Sequence, residues 1–399
     1  MMVNPFLDLK LVRDEGVINA VMVRAPVKGE GLKVTTIDRK RDQEIFEFLL
    51  IHMATKGAHG ANSATDRERE RLMKIGVLVR QASRPVFYSC DFDDVPSNLL
   101  PLRAQRRLRP FVLVDDLIVD PTIHHLGKNG ITAEMRGRYT IPSPFHEDRS
   151  WVSIENGLSA PVFYSYAPDA SACVDLLSAG QPAPKNLSFD ARQKLVETGM
   201  LRLQEETSTR RETKERQRSA AHKSLVERRY VILREVIHPV QLATIRRYYR
   251  SLIAEGFVRF GDPEWPDRFF SSRDGLTYFF QQQLTGVISE IAGERLKPSF
   301  AFFASYRPGS DLKPHRDREQ CHYAMSVLLD HDQADDVSSW PIYVQPPGAP
   351  EAVPVNVGLG DGLLYFGQEV LHYRYPLPHG YSTLWFLFWV PENFEGSLD

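Results

Sequence analysis

Cysteine is scarce in this chain of 399 residues: Cys90, Cys173 and Cys321 are the whole supply. They are scattered, odd in number and form no CxxC pair, so no disulfide framework is encoded and a reducing compartment is expected. Long apolar runs are missing too. The greasiest stretch, Leu384 to Val390, is far too short to span a bilayer. Nor is there an excess of one charge. Lys and Arg number 49 against 51 Asp and Glu, a formal net charge of −2 that provides no global field for nucleic acid or an anionic membrane. The opening residues MMVNPFLDLKLVRDEG carry charges where a signal peptide needs an apolar run. The expectation is a cytoplasmic protein with neither membrane nor nucleic acid as a partner.

The rest of the composition is that of a soluble globular protein, with 42% hydrophobic and 25% charged residues. The length exceeds what one compact core usually organises. The clearest boundary is QEETSTRRETKERQRSAAHKSLVERR, almost entirely polar with both charge signs, which reads as a solvated helix or linker. It divides an N-terminal mixed α/β region (residues 1–202) from a charged helical linker (203–229) and a C-terminal domain (230–399).

The C-terminal domain opens with a buried strand, Tyr230 to Leu233. An amphipathic helix follows, with Leu242, Ile245, Tyr248, Tyr249 and Ile253 on one face and Gly256 closing it. From Lys297 onward short apolar runs alternate with Pro-Gly and Gly-Asp punctuation: Ser299–Tyr306, Tyr323–Leu329, Trp340–Val344, Val353–Val357, Gly362–Phe366 and Tyr381–Val390. Such a pattern predicts a sandwich or jelly roll, an α+β fold overall.

Chemistry concentrates at His315-Arg316-Asp317. On a strand, residues i and i+2 share a side, so both side chains can face one ion. His372, fifty-five residues beyond Asp317, offers a third ligand. Two imidazoles and a carboxylate suit one face of octahedral Fe(II), with the other face open. The three-letter motif is weak alone, since roughly half a match arises by chance in a chain with twelve histidines. His146-Glu147-Asp148 repeats the pattern with proline-rich flanks and no histidine at a matching distance. His124-His125 reads as a surface or satisfied pair. Arg103, Arg106, Arg107 and Arg109 form a local basic cluster, a surface or acidic-partner patch rather than a nucleic-acid contact.

The segments FAFFASYRPGSDLKPHRDREQCHYAMSVLLD and VNVGLGDGLLYFGQEVLHYRYPLPHGYSTLWFLFWVP resemble the iron-binding core of the 2-oxoglutarate/Fe(II) dioxygenases, in their prolyl-4-hydroxylase-like branch. The resemblance covers about residues 226–395. It implies a double-stranded β-helix with flanking helices, an Fe(II) held by His315, Asp317 and His372, and 2-oxoglutarate and O₂ as co-reactants. It also implies hydroxylation of a C–H bond coupled to oxidative decarboxylation of 2-oxoglutarate. The family's usual Arg or Lys about ten residues after the distal histidine is absent, since position 382 is Ser. Arg374, two residues after His372, would share its inward face and can bind a carboxylate in bidentate fashion. Tyr306 and Thr383 are further candidates for hydrogen bonds to that carboxylate.

Three readings stay open at this stage. One is the oxygenase, acting on a peptide, a protein side chain or an amino-acid-derived substrate. The second is a non-catalytic peptide-binding or regulatory protein with a decayed barrel, and the third is a cupin-like iron enzyme that does not use 2-oxoglutarate. In the N-terminal half, the run from Ile37 to Ser89 reads helix, polar loop, helix, Gly, strand. It resembles the winged-helix, PqqD-type modules that bind leader peptides, which implies peptide delivery to the barrel. Residues 68–79 also align without gaps to residues 191–202, and PVFYS occurs twice, at residues 85–89 and 161–165. Shared local grammar explains these echoes as well as duplication does.

Overall fold

The computed structural model describes residues 2–3, 8–14, 17–27, 31–54, 66–74, 78–79, 90–91, 96–105, 116–127, 149–166, 171–261, 266–272, 274–333 and 335–398. The His146-Glu147-Asp148 motif, Arg106, Arg107 and Arg109, and the first PVFYS copy lie outside them. The chain divides into two compact units, Met1–Pro85 with Tyr248–Ser271, and Val86–Arg247 with Ser272–Asp399.

In the first unit, strands β1 (Asp8–Asp14), β2 (Val17–Val27) and β3 (Gly31–Asp38) form an antiparallel sheet in that order. Helices α1 (Gln43–Ala54) and α2 (Asp66–Lys74) follow, and Leu78–Val79 pairs with Met2–Val3. The helix, helix, strand order expected from the sequence is there. A winged-helix assignment is not established by it: among the described residues the last strand pairs with Met2–Val3. The sheet before α1 is not among the sequence expectations.

The second unit begins with a small β module. Strands β4 (Leu117–Val119), β5 (His124–Gly127), β6 (Ser150–Ile154) and β7 (Val162–Tyr166) precede helix α3 (Phe189–Glu197) and strand β8 (Leu201–Leu203). Strands β5, β6 and β7 are neighbours in one sheet, and β8 pairs with β4. Their apolar residues close one core that includes Val119, Val152, Tyr164 and Leu195. In the two aligned segments, Leu72 of α2 and Leu195 of α3 are equivalent and both fully buried. A helix that buries a leucine in its last turn needs no duplication to arise twice.

The charged segment is one helix, α4 (Gln204–Arg228), and Arg229 ends it in the left-handed conformation. It is anchored rather than free. Arg210 and Arg202 both reach the buried Asp120 carboxylate, at 2.9 and 2.5 Å. Beyond it, β9 (Tyr230–Leu233) and α5 (Pro239–Ala254) match the predicted strand and helix. His238 precedes α5, and its Nδ1 accepts a hydrogen bond from the Val240 N–H, a cap on an otherwise unsatisfied helix donor. Burial, and then the charges of Arg202 and Arg210, push this imidazole down to about 4. An unfolded histidine titrates near ~6.5. Stability is therefore complete above that value and is lost as pH falls toward the folded-state value. His238→Asn, which keeps a capping acceptor without a titrating ring, is expected to flatten this acid limb in pH-dependent denaturation. An unchanged limb would show that the lability lies elsewhere.

Helix α6 (Gly275–Ala292) is capped by Asp274, whose side chain accepts from the Thr277 N–H, and stops at Gly293. It then covers a barrel of eight strands: β10 (Leu296–Tyr306), β11 (Leu312–His315), β12 (Tyr323–His331), β13 (Ile342–Gln345), β14 (Val353–Val355), β15 (Gly362–Phe366), β16 (Leu371–Arg374) and β17 (Ser382–Pro391). Strands alternate between two antiparallel sheets, apart from β13 and β14, which pair with each other in the minor sheet. The major sheet orders β9-β15-β12-β17-β10 and the minor sheet β11-β16-β13-β14. This alternation is the double-stranded β-helix that the sequence resemblance implied.

Residue parity sorts the two faces of the major sheet. Trp385, Leu387 and Trp389 point outward to α6, where Trp385 stacks on Phe280 at 5.1 Å and Trp389 Nε1 donates to Thr285. Leu384, Phe386 and Phe388 point inward. The basic cluster is partly explained here. Arg103 pairs with Asp361, a fully buried carboxylate that also accepts from Arg234 and the Glu235 N–H. Next to it, Gly360 sits at φ +77°, and a Cβ there would meet the Ile237 carbonyl at 2.9 Å, so only glycine fits.

Candidate metal centre

His315 ends β11 and His372 lies on β16, directly opposite it in the antiparallel register. Their rings are 4.3 Å apart. Asp317 is not on the strand, contrary to the period-two expectation. The strand stops at His315, and Asp317 is held in the following loop by its own N–H donating to the Gly367 carbonyl at 2.9 Å. Register brings the two histidines together and this loop bond adds the carboxylate. One ligand atom from each of the three residues lies within 4.8 Å of the others. Asp317 Oδ1 is 3.6 Å from His315 Nε2 and 3.7 Å from His372 Nε2.

Three observations make this cluster a fit for a cation. Each histidine uses Nδ1 on a nearby carbonyl, Lys313 for His315 at 2.8 Å and Val370 for His372 at 3.0 Å. A carbonyl only accepts, so Nδ1 carries the proton and the Nε2 lone pair faces the cluster, the usual orientation of a metal ligand. Asp317 Oδ2 is buried with no hydrogen-bond partner, a costly state for a carboxylate without a cation. Finally, a Cβ at Gly367 would stand 2.6 Å from that oxygen and 2.2 Å from the Cys321 carbonyl, so the loop leaves only enough room for the carboxylate. The donor set, two imidazoles and one carboxylate on one side, is that of non-haem Fe(II) sites.

The two histidines differ in their electrostatics. Burial pushes the His372 imidazole down, against the pull of Asp317, which keeps it neutral and able to coordinate. The Asp317 carboxylate beside it raises His315 instead. His372 is almost fully enclosed, at 2% side-chain exposure, while His315 stays open at 39%. Access to the centre is from the His315 side.

Arg374 points inward with His372, as its parity predicts. It is buried, its Nη1 donates to the Trp340 carbonyl at 2.5 Å, and its guanidinium lies 4.5 Å from the Trp340 ring. Among the described residues no carboxylate pairs with it. Burial lowers its affinity for the proton to about 10, opposed by the nearby Tyr306 and Tyr365 hydroxyls. Tyr306 is buried beside it, with its ring 5.2 Å from Trp340. Thr383 is placed differently. It shares parity with Trp385, so it faces α6, and its hydroxyl is engaged with Ser305 at 2.8 Å. Its role as a carboxylate contact in the interior is therefore corrected, because one residue of strand parity puts it on the wrong side of the sheet.

Two residues of the site went unnoticed in the sequence. Tyr365 of β15 places its hydroxyl 3.3 Å from His372 Nε2, and Trp340 both accepts from Arg374 and supports it. Each sat in an ordinary apolar run. Only inward parity on a strand facing His372 could have drawn attention to them.

No protein-family model matches the chain, and no curated protein matches it. Among solved structures, the chain is similar over part of its length to an oxidoreductase of the 2OG-Fe(II) oxygenase family from Burkholderia pseudomallei. That match has 12% identity, a TM-score of 0.36, and covers 45% of this chain and 92% of the other. A Pseudomonas putida prolyl-4-hydroxylase matches at 14% identity and TM-score 0.36, over 43% and 97% of the two chains. A Trichoplax adhaerens prolyl hydroxylase, in complex with a hypoxia inducible factor oxygen degradation domain peptide fragment, matches at 12% and 0.37, over 44% and 89%. No helix among the described residues is long and apolar enough to cross a membrane.

Proposed function

We propose that this chain is an Fe(II)- and 2-oxoglutarate-dependent oxygenase that hydroxylates a C–H bond of a peptide, a protein side chain or an amino-acid-derived substrate. The observation that carries this is the pairing of a His315/Asp317/His372 ligand set with a buried, carboxylate-free Arg374 two residues from the last ligand. When bound, iron and its cosubstrate supply the oxidising chemistry, with O₂ as the third reactant. The protein's part is positional. His315, Asp317 and His372 hold the metal, and the Nδ1–carbonyl bonds keep both rings aimed.

A buried guanidinium without an anion is an expensive arrangement. The distal carboxylate of 2-oxoglutarate supplies that anion, with the Tyr306 hydroxyl beside it. This favours the oxygenase over a cupin-like iron enzyme without 2-oxoglutarate, which has no use for the charge. An intact ligand set is likewise unneeded in a decayed barrel.

Anaerobic addition of Fe(II) and 2-oxoglutarate is expected to produce a weak visible metal-to-ligand charge-transfer band. Bound metal without that band would overturn the 2-oxoglutarate reading. Arg374→Ala is expected to raise the 2-oxoglutarate requirement for the band roughly 10- to 100-fold, the worth of charge-assisted hydrogen bonds, while metal binding stays intact. An unchanged requirement would make Arg374 a structural residue resting on Trp340.

A further inference from the structure

Tyr365 stands on the major sheet, in β15, and reaches across the barrel to a residue of the minor sheet. Its ring is 4.8 Å from the His372 ring, and its hydroxyl is 3.3 Å from His372 Nε2. The direction of that bond follows from the other side of the imidazole. Nδ1 faces the Val370 carbonyl at 3.0 Å, so Nδ1 carries the proton and Nε2 can only accept. The Tyr365 hydroxyl is therefore the donor. It sits on the same lone pair that a metal ion needs, and both side chains are buried.

Ser326 completes the arrangement. In β12, Ala324 is paired with Tyr365 and Ser326 with Leu363. Ser326 thus shares a face with Tyr365, one diagonal step away, a distance that an aromatic side chain spans. Its partner on the other side is the inward-facing Phe386. Ser326 Oγ is buried and makes no hydrogen bond, although it is close enough to the phenol to act on the Tyr365 proton. Buried hydroxyls are rarely left in this state. A tyrosine has one proton to donate. While that proton is on His372, Ser326 goes without it.

We propose that Tyr365 is a positioning residue for the metal site, whose hydroxyl donates to His372 Nε2 before a metal arrives and to Ser326 Oγ once the metal holds that nitrogen. The inference rests on the metal reading of His315, Asp317 and His372. In the empty site the bond keeps His372 in the tautomer that can coordinate. In the loaded site the displaced proton has an acceptor waiting, so neither hydroxyl is stranded. The exchange turns one O–H bond and breaks no covalent bond.

The test is Zn(II) titration of the full chain, read by competition with a chromophoric chelator. Ser326→Ala is expected to weaken Zn(II) binding roughly 2- to 10-fold, the worth of one hydrogen bond, since it removes a partner used in the loaded state alone. In a Tyr365→Phe background the same Ser326→Ala change is expected to have no effect, because no phenolic proton remains to be received. Tyr365→Phe by itself is expected to leave Zn(II) binding equal or tighter, because it removes a competitor for Nε2. A merely structural Ser326 predicts the same loss in both backgrounds, and that result would overturn the proposal, as would weaker binding in Tyr365→Phe. Zn(II) is also expected to perturb the near-UV absorption of a tyrosine in the wild type and not in Tyr365→Phe. Identical difference spectra in the two would count equally against it. Zn(II) that fails to bind the wild type sinks the metal reading and this proposal with it. Bound Zn(II) with no coupling between Ser326 and Tyr365 sinks this proposal alone.

Discussion

His315→Ala is expected to lower Mn(II) or Fe(II) affinity by at least about 100-fold. Removing only an outer-shell partner of a metal ligand costs 10- to 100-fold, and this substitution removes a ligand. His315 is also the most open of the three, so its loss leaves Asp317 and His372 as a two-point site. The fold should survive, because His315 closes a strand end at 39% side-chain exposure and packs no core. Metal titration read by EPR, alongside an unchanged far-UV spectrum, checks both halves. Retained stoichiometric metal would overturn the ligand assignment outright.

The second large effect concerns stability. Asp330→Ala is expected to cost about 3–5 kcal/mol. Arg246 and Asp330 are 8% and 2% exposed, and the guanidinium meets Asp330 Oδ1 through Nε and Nη2, both at 2.8 Å. Arg246 also donates to the Leu99 carbonyl at 2.5 Å. Taking away the carboxylate leaves a charge that water cannot reach, and that penalty exceeds the net worth of the pair. Accordingly, the double variant Arg246→Met with Asp330→Leu should recover most of the loss, since a well-packed apolar pair replaces the ions without stranding either. Chemical denaturation of the three proteins decides. A single-variant loss below about 1 kcal/mol would mean that the guanidinium escapes to solvent.

The legible parts of this protein follow from local rules. Strand runs such as Gly362–Phe366 and Tyr230–Leu233 appear with the same bounds in the structure. Others lengthened at their ends, as Ser299–Tyr306 did to Leu296–Tyr306, because pairing partners extend a strand past its apolar run. The inward direction of Arg374 was readable from its distance to His372. Thr383 could not be read that way. Its spacing from His372 crosses a turn, which breaks the count of two, and only the sheet showed that it shares a face with Trp385. Asp317 was read as a strand neighbour of His315, yet it is the Gly367 carbonyl, fifty residues on, that holds it in place. The N-terminal sheet of β1 to β3 is not among the sequence expectations, although Leu9 and Leu11 alternate with Asp8 and Lys10 at its start.

What the sequence determined by itself is the chemistry available: two imidazoles and a carboxylate in one stretch of short strands, a guanidinium two residues from the last, and a helix too polar to bury. Backbone sterics and the alternation of side chains make such local facts visible in one dimension. The tertiary structure alone decided who meets whom. The register of β11 against β16 set His315 opposite His372, and Arg374 came to lie over Trp340, which precedes the β13 strand paired with β16. Register is a property of two strands at once, fixed by the burial of all their residues together, and no single segment carries it.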